Sequence, residues 1–474
     1  MLPDDVLLAI FYLYVNEAPH YPYSKKSVER WQPLIHVCRR WRSTVFGSPR
    51  GLNLRVYCTP RTFATDMLDI WPALPLVIWD QFEYAATGSV DNITAILEHR
   101  DRICQIGLWK LSSSRLETVL VEMQAPFPEL TFLYLEQKEE TVPVLPDSFL
   151  GGSAPRLRGL VLKGVPFPGL PKLLLSATNL TFLRLFDTPH SGYIPPEAMV
   201  AALSTLTRLR TISLNFRSSP SGPNREGRRP PPLTRLVLPI LTFSFNGDRE
   251  YFEDIVARID VPRINELSIN FLSDMGFEIP QLVQFINRTP TLNTLKTARL
   301  LFLKGGARVE LFSHTPGSGV FNVDILCREL DLKISSLERV CTSCLPILST
   351  LEDLDISEHE YYYINWPDNV ENTQWLELLH PFTSVKNLYL SMRVAHRIVP
   401  ALQELAGGRT TEVLPTLQNI FLELLKPSGP IREGIEQFVA RRQVVSHPIA
   451  VSHWENALSV PILSRRGGKP SMAR

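Results

Sequence analysis

Leu130-Thr-Phe-Leu133-Tyr-Leu135 is followed by Leu157-Arg-Gly-Leu160-Val-Leu162 and then by Leu180-Thr-Phe-Leu183-Arg-Leu185. In each stretch the last two leucines stand two residues apart, the spacing that puts side chains on one face of a β-strand. The first leucine falls three positions earlier, beneath the turn that enters the strand. The same triplet recurs at Leu209/Ile212/Leu214, Leu233/Leu236/Leu238, Ile264/Leu267/Ile269, Leu295/Ala298/Leu300, Leu351/Leu354/Ile356, Val385/Leu388/Leu390 and Leu417/Ile420/Leu422. Weaker copies stand at Ile103/Ile106/Leu108 and Cys327/Leu330/Leu332. The copies are spaced about 23 to 34 residues apart, which marks an internal repeat rather than an assortment of leucine-rich strands.

Between the triplets lie stretches with apolar residues at helical spacing: Glu197–Thr205, Glu250–Ile259, Pro280–Arg288, Ser336–Cys344 and Trp375–His380. One strand and one helix cannot bury their own apolar faces, but stacked copies share a continuous core. This pattern resembles the leucine-rich repeat in an irregular grade, for only Asn215 and Asn270 follow triplets where strict repeats carry a regular asparagine. The resemblance implies an α/β solenoid over residues 101–460, with parallel strands on a concave face and helices outside. Residues 51–100 are expected to form a linker or cap. The segment 218–232, SSPSGPNREGRRPPP, cannot make a packed element and is expected to be a loop, and Gly305–Gly319 is expected to be another irregular insert. The polar tail 464–474 is expected to be disordered.

Residues 1–50 differ in kind. Pro3 suits the first turn of a helix, where its missing N–H has no intrahelical partner. Asp4 and Asp5 place negative charge at the positive end of the helix dipole. Val6, Leu7, Ile10, Phe11 and Tyr14 then form one wide apolar face, with Leu8 and Leu13 apolar beyond it. A polar loop spans Asn16–Glu29. A second helical pattern starts at Pro33, with Leu34, Val37, Cys38, Trp41 and Val45 in a stripe and Arg39, Arg40 and Arg42 opposite, read as a solvated face. So few residues cannot bury this much apolar surface alone.

Leu2-Pro3-Asp4-Asp5-Val6-Leu7-Leu8-Ala9-Ile10-Phe11 resembles the opening of the F-box, and Val37-Cys38-Arg39-Arg40-Trp41-Arg42 resembles its closing helix. The order agrees, although Asp5 stands where the family usually has Glu. The combination of this box with irregular repeats is similar to a large fungal group of F-box proteins. The resemblance implies a surface for Skp1 and, through it, a cullin scaffold, with Leu2, Pro3, Leu7, Ile10 and Phe11 in the leading contact segment. Leu34, Val37, Cys38 and Trp41 would belong to the closing helix. It further implies the substrate-recognition subunit of an SCF-type E3 ubiquitin ligase, with an unidentified target protein held by the repeats. The alternative is an interaction scaffold that ubiquitinates nothing.

Composition supports no other class. The chain has 474 residues, 44% apolar and 20% charged, with a formal net charge of +1, so no global field steers it toward nucleic acid or an anionic membrane. Six scattered cysteines suit a reducing compartment, and Cys341-Thr-Ser-Cys344 lacks the further ligands that zinc needs. The apolar run Val6–Val15 follows aspartates rather than lysines or arginines, and no segment reaches the length of a membrane span. An intracellular protein of the cytoplasm or nucleus is expected, which makes Asn92-Ile-Thr94, Asn179-Leu-Thr181 and Asn287-Arg-Thr289 chance matches to a glycosylation pattern. No phosphate-binding loop, nucleophile elbow or zinc-helix motif is present, and His359 between Glu358 and Glu360 reads as a solvated turn. No cofactor, metal or catalytic residue is expected. Tyr361, Tyr362, Tyr363 and Trp366, just past a repeat strand, are candidates for a target-binding rim.

Overall fold

The computed structural model describes residues 2–16, 28–49, 51–59, 74–80, 90–138, 143–216, 235–271, 279–313, 319–326, 330–358, 371–405, 409, 411–423 and 429–454. The chain divides into two compact units, Met1–Phe243 and Ser244–Arg474. The segments 218–232 and 464–474, the aromatic residues Tyr361, Tyr362, Tyr363 and Trp366, and most of the Asn16–Glu29 loop lie outside the described residues.

The first unit opens with helices α1 (Asp4–Asn16), α2 (Gln32–Ile35) and α3 (Arg39–Gly47). Seven parallel strands then lie side by side in chain order: β1 (Val56–Cys58), β2 (Leu76–Asp80), β3 (Ile103–Leu111), β4 (Phe132–Gln137), β5 (Gly159–Lys163), β6 (Phe182–Thr188) and β7 (Thr211–Phe216). The sheet thus begins at Val56, inside the stretch expected as linker or cap.

Register explains the triplets. Ile106, Leu133, Leu160, Leu183 and Ile212 pair in one row, and Leu108, Leu135, Leu162, Leu185 and Leu214 in the next. All ten side chains are buried. At about 25 cal/mol per Å² of apolar area, each such side chain contributes roughly 1.5–3 kcal/mol, and stacking copies makes the gain repeat. The leading leucine of each triplet closes a tight turn: Leu130 N–H donates to Phe127 O, Leu157 to Ala154 O, Leu180 to Ala177 O and Leu209 to Leu206 O. Helices α4 (Val90–Leu97), α5 (Ser113–Glu122), α6 (Leu170–Ser176) and α7 (Pro196–Leu203) connect the strands. Buried Leu116, Val119 and Leu120 of α5, and Leu170, Leu173 and Leu174 of α6, form the inner stripes of those helices.

In the second unit the strands follow a different order. Those of the main sheet are β8 (Thr242–Gly247), which begins at the boundary of the units, β9 (Glu266–Phe271), β10 (Thr297–Leu303), β11 (Gly306–Phe312), β12 (Val320–Leu326), β13 (Asp353–Glu358), β14 (Asn387–Leu390), β15 (Asn419–Glu423) and β16 (Ala450–Trp454). Their spatial order is β8-β9-β12-β11-β10-β13-β14-β15-β16. The connecting helices are α8 (Arg249–Val256), α9 (Pro280–Arg288), α10 (Leu330–Cys344), α11 (Asn372–Leu379), α12 (Met392–Glu404) and α13 (Pro430–Val444). Rows of triplet residues again align: Ala298, Leu354, Leu388 and Ile420, then Leu300, Ile356, Leu390 and Leu422. A parallel strand ladder of triplets joined by helices is thus common to both units, as a leucine-rich-repeat-like array requires.

Four sequence expectations need correction. The Gly305–Gly319 stretch is not simply an insert: β11 pairs antiparallel with β10 and with β12, a meander inside the parallel array. Gly306 permits it, since a Cβ there would lie 2.1 Å from Ile325 O across the hairpin. Leu330 and Leu332 of the weak triplet lie in α10, and Cys327 is outside the described residues; Phe321, Val323 and Ile325 of β12 take the inward role. Of the Leu233/Leu236/Leu238 triplet, Leu233 is outside the described residues, and Leu236 lies in a short strand apart from the main sheet. Ile240-Leu-Thr-Phe243-Ser-Phe245 has the same spacing, and its three marked residues are buried. Finally, the helical pattern from Pro33 breaks. Cys38 is extended, at φ −159° and ψ 168°, and its sulfur accepts the Trp41 N–H at 3.5 Å, so Cys38 caps α3 instead of continuing α2.

Candidate docking surface

The N-terminal helices are built so that one apolar helix serves two faces. Leu7, Phe11 and Val15 of α1 recur at i, i+4 spacing and are buried. Phe11 meets the Trp41 ring edge-on at 4.8 Å between centroids, which joins α1 to α3. Val6, Ile10 and Leu13 recur at i, i+4, i+7 on another side of α1 and are exposed, Leu13 by 70%. Leu2 is exposed ahead of the helix, as are Val37 by 59% in the link between α2 and α3, and Phe46 in α3. Tyr14 is exposed as well, with the Arg30 guanidinium 5.4 Å over its ring.

The two sequence motifs are brought together. Arg40 Nη2 lies 2.7 Å from Asp4 Oδ1, its Nε donates to the same oxygen at 3.0 Å, and Nη2 also donates to Leu2 O. Arg42 Nε donates to Ile35 O at 3.0 Å. Arg40 and Arg42 therefore do more than solvate a face: each bridges α3 to another element. Trp31 anchors the group to the strand region, for it is fully buried and its Nε1 donates to Arg55 O at 2.8 Å. Glu29 Oε1 accepts the Tyr57 N–H at 3.0 Å, a second tie to β1.

Among the nine residues singled out from the sequence, Leu7, Phe11 and Leu34 are buried and Trp41 is half-buried. Leu2, Pro3, Ile10, Val37 and Cys38 are exposed. The first group holds the helices together, whereas the second presents apolar surface. Leu13, off the wide apolar face in the sequence pattern, is the most exposed large apolar residue of α1. The spacing carries the signal: an inward stripe of Leu7, Phe11 and Val15 leaves Val6, Ile10 and Leu13 pointing elsewhere.

The outward side of the first unit's sheet is aromatic. Trp79 meets Trp109 edge-on at 4.4 Å, and Trp109 stacks on Tyr134 at 4.5 Å. Gly107 leaves room for them, since a Cβ there would lie 2.4 Å from the Trp79 ring. Val28, Val77 and Cys104 pack with Trp79, which is itself buried. The Tyr134 hydroxyl donates to Glu136 Oε2 at 2.7 Å; burial, then the bond to Glu136, pushes that phenol well above its ordinary range. Glu136 also pairs with Lys163 at 2.9 Å.

Among the described residues, no three His, Cys, Asp or Glu side chains are grouped to hold a metal ion. Cys341 is buried in α10. No described helix is long and apolar enough to cross a membrane.

No protein-family profile matches the chain. No curated protein matches it in sequence. Among solved structures, the leucine-rich repeat-containing protein LegL7 from Legionella pneumophila is similar at 13% identity, covering 82% of this chain and 98% of its own, with a TM-score of 0.28.

Proposed function

We propose that the protein is the substrate-recognition subunit of an SCF-type E3 ubiquitin ligase, which binds Skp1 through residues 2–47 and holds a target protein on its repeats. One observation carries the first half: α1 exposes Val6, Ile10 and Leu13 as a stripe although its opposite stripe is already buried. A helix that only packed against its own chain would place polar residues there. The Asp4–Arg40 contact ties the Leu-Pro-Asp-Asp opening to the Val-Cys-Arg-Arg-Trp-Arg helix, as a box acting as one unit requires. On this reading Leu2, Pro3, Ile10, Val37 and Cys38 meet Skp1, while Leu7, Phe11, Leu34 and Trp41 shape the surface. The protein supplies no catalytic group. It raises the effective concentration of the target beside the ubiquitin-charged enzyme.

Co-purification tests the proposal. Tagged wild-type protein is expected to retain Skp1 and a cullin, and the Ile10→Asp, Val37→Asp variant to lose both while keeping its circular dichroism. Absence of Skp1 from the wild-type eluate overturns the reading. Skp1 capture without any protein that accumulates on deletion of the gene would instead assign the non-ubiquitinating scaffold.

A further inference from the structure

The outward side of the second unit's sheet is unlike that of the first, for it is acidic. Among the described outward positions of its strands stand Glu266, Glu310, Asp324, Asp353, Asp355 and Glu423, against two guanidiniums, Arg299 and Arg308. Register sets Arg308 beside Asp324, Glu310 beside Arg299, Arg299 beside Asp355, Asp355 beside Tyr389 and Tyr389 beside Phe421.

Both guanidiniums are engaged internally. Arg308 contacts Asp324 through Nε and Nη2 and Glu310 through Nη1 at 3.3 Å. Arg299 Nε donates to Asp355 Oδ2 at 2.7 Å, and its Nη1 lies 3.5 Å from Glu310 Oε2. Asp353 is met by neutral donors, Asn387 Nδ2 at 2.7 Å and Thr297 Oγ1 at 3.4 Å. Asp355 is only 4% exposed and is held from below the surface by Arg299. Beside it Tyr389 and Phe421 stack face to face, 4.6 Å between centroids, so aromatic rings able to meet a guanidinium adjoin the carboxylates. Burial, then Asp353 and Asp355, push the Tyr389 phenol upward, in keeping with a negative local field.

The carboxylates run from β9 to β15. At about 4.8 Å per strand that is roughly 30 Å, the length of an extended segment of about nine residues. A single small cation cannot span it. We propose that this face receives an extended, arginine- or lysine-bearing segment of the protein held by the repeats. The inference rests on the reading of the repeats as a partner-holding surface, and it adds the chemistry of the segment they hold.

The test uses the full chain and a fluorescein-labelled nona-arginine peptide, with nona-glutamate as the control of opposite charge, read by anisotropy. Nona-arginine is expected to bind and nona-glutamate not. The triple variant Glu266→Gln, Asp353→Asn, Glu423→Gln is expected to weaken binding about ten-fold. The charge-matched triple Glu117→Gln, Glu197→Gln, Glu433→Gln, on helices, is expected to change it less than about two-fold. Tyr389→Leu leaves the charge intact and is expected to cost about three-fold through the lost stacking, which keeps the test decisive if the first triple misfolds. Equal effects of the two triples, an unaffected face variant, or no nona-arginine binding by wild type overturns the proposal. Skp1 capture by the face triple is expected to match wild type. Peptide binding without Skp1 capture therefore rejects the ligase reading alone, and the reverse result rejects this face alone.

Discussion

Asp4 and Arg40 are 36 positions apart in sequence, yet Arg40 Nη2 sits 2.7 Å from Asp4 Oδ1 and also donates to Leu2 O. The contact fixes where the chain ahead of α1 lies, because Leu2 is held through its backbone. Its side chains are 36% and 65% exposed, so water and salt screen it, and its worth to folding is only about 0.2–1 kcal/mol. Its consequence lies in geometry. Arg40→Ala is therefore expected to shift the melting temperature by no more than about 2 °C, yet to lower retention of Skp1 in a pull-down several-fold. Arg40→Lys, which keeps a cationic donor for Asp4 or Leu2 O, is expected to retain more Skp1 than Arg40→Ala. Full Skp1 retention by Arg40→Ala would show that the position of Leu2 is irrelevant.

The division of α1 into two stripes gives a sharper contrast. Phe11 is buried against Trp41, and Phe11→Ala is expected to destabilise the helical group by about 3–5 kcal/mol. Ile10, one residue earlier, is exposed, and Ile10→Ala is expected to change stability by less than about 0.5 kcal/mol. Hydrogen exchange of α1 amides should separate the two, with rapid exchange in the Phe11 variant only. If Ile10→Ala exchanges as fast as Phe11→Ala, the outward stripe is packed after all.

Much of the fold is legible in the sequence because one rule, L-x-x-L-x-L, acts locally: each leucine needs only its own strand and turn to be placed. The rule fails where the same role passes to other residue types or to distant partners. Phe243 and Phe245 fill the inward sites of β8 with rings, which a pattern of aliphatic residues does not include. The β10–β12 meander depends on Gly306 having no Cβ near Ile325 O, a contact between residues that local periodicity does not relate. Cys38 lies beyond the end of α2 and caps α3, whereas its place in an apolar stripe suggests one continuous helix. The Asp4–Arg40 and Arg299–Asp355 contacts are long-range pairings of common residue types, and nothing in either neighbourhood announces them.

Gly306→Ala and Gly107→Ala test clearance at two grades. At Gly306 the obstacle is backbone, Ile325 O at 2.1 Å, and it cannot swing aside. At Gly107 the obstacles are the Trp79 and Trp109 rings, which can shift. Overpacking of this sort costs about 1–3 kcal/mol, with Gly306→Ala expected at or above the top of that range and Gly107→Ala within it. Gly305 has open space around its Cβ position, so Gly305→Ala is the matched control, expected near zero. Urea midpoints that rank the three otherwise would contradict the close approach across the hairpin.

Two buried thiols make stability fall at alkaline pH. Burial, then the Glu29 charge, pushes Cys58 from 9.0 to about 12, with Arg102 opposing. Burial pushes Cys104 from 9.0 to about 11, and its sulfur donates to Leu76 O at 3.3 Å. The unfolded chain releases these protons first. The contribution is thus fully present below about pH 9 and is lost as pH rises toward 11 and 12. Denaturant midpoints of wild type are expected to drop more steeply between about pH 8.5 and 10.5 than those of Cys58→Ala, Cys104→Ala. Parallel slopes would mean that both thiols ionise as freely in the folded chain as in the unfolded one.

Arg442 is fully buried in α13, and its hydrogen bonds to the described residues go to backbone carbonyls rather than to a carboxylate. Its Nη2 donates to Val413 O at 2.7 Å and to Leu414 O at 2.9 Å, and the guanidinium carbon lies 5.3 Å from the centre of the Phe438 ring. Leu414 has φ +51°, so the turn that directs these carbonyls inward is itself strained. Two effects compete. Desolvation of the cation, which lowers its pKa, favours an apolar replacement. Against it, two buried carbonyls lose their donor, at about 1–3 kcal/mol each. Methionine keeps most of the stem against Phe438 and donates nothing. Because the carbonyls belong to a turn that cannot relax without moving Leu414, the loss of their donor should win: Arg442→Met is expected to lose about 2–4 kcal/mol, and Arg442→Lys, whose ammonium can reach one carbonyl, about half as much. Chemical denaturation followed at a probe in α13 measures both. A methionine variant as stable as wild type would show that burying the charge costs the fold as much as its hydrogen bonds return.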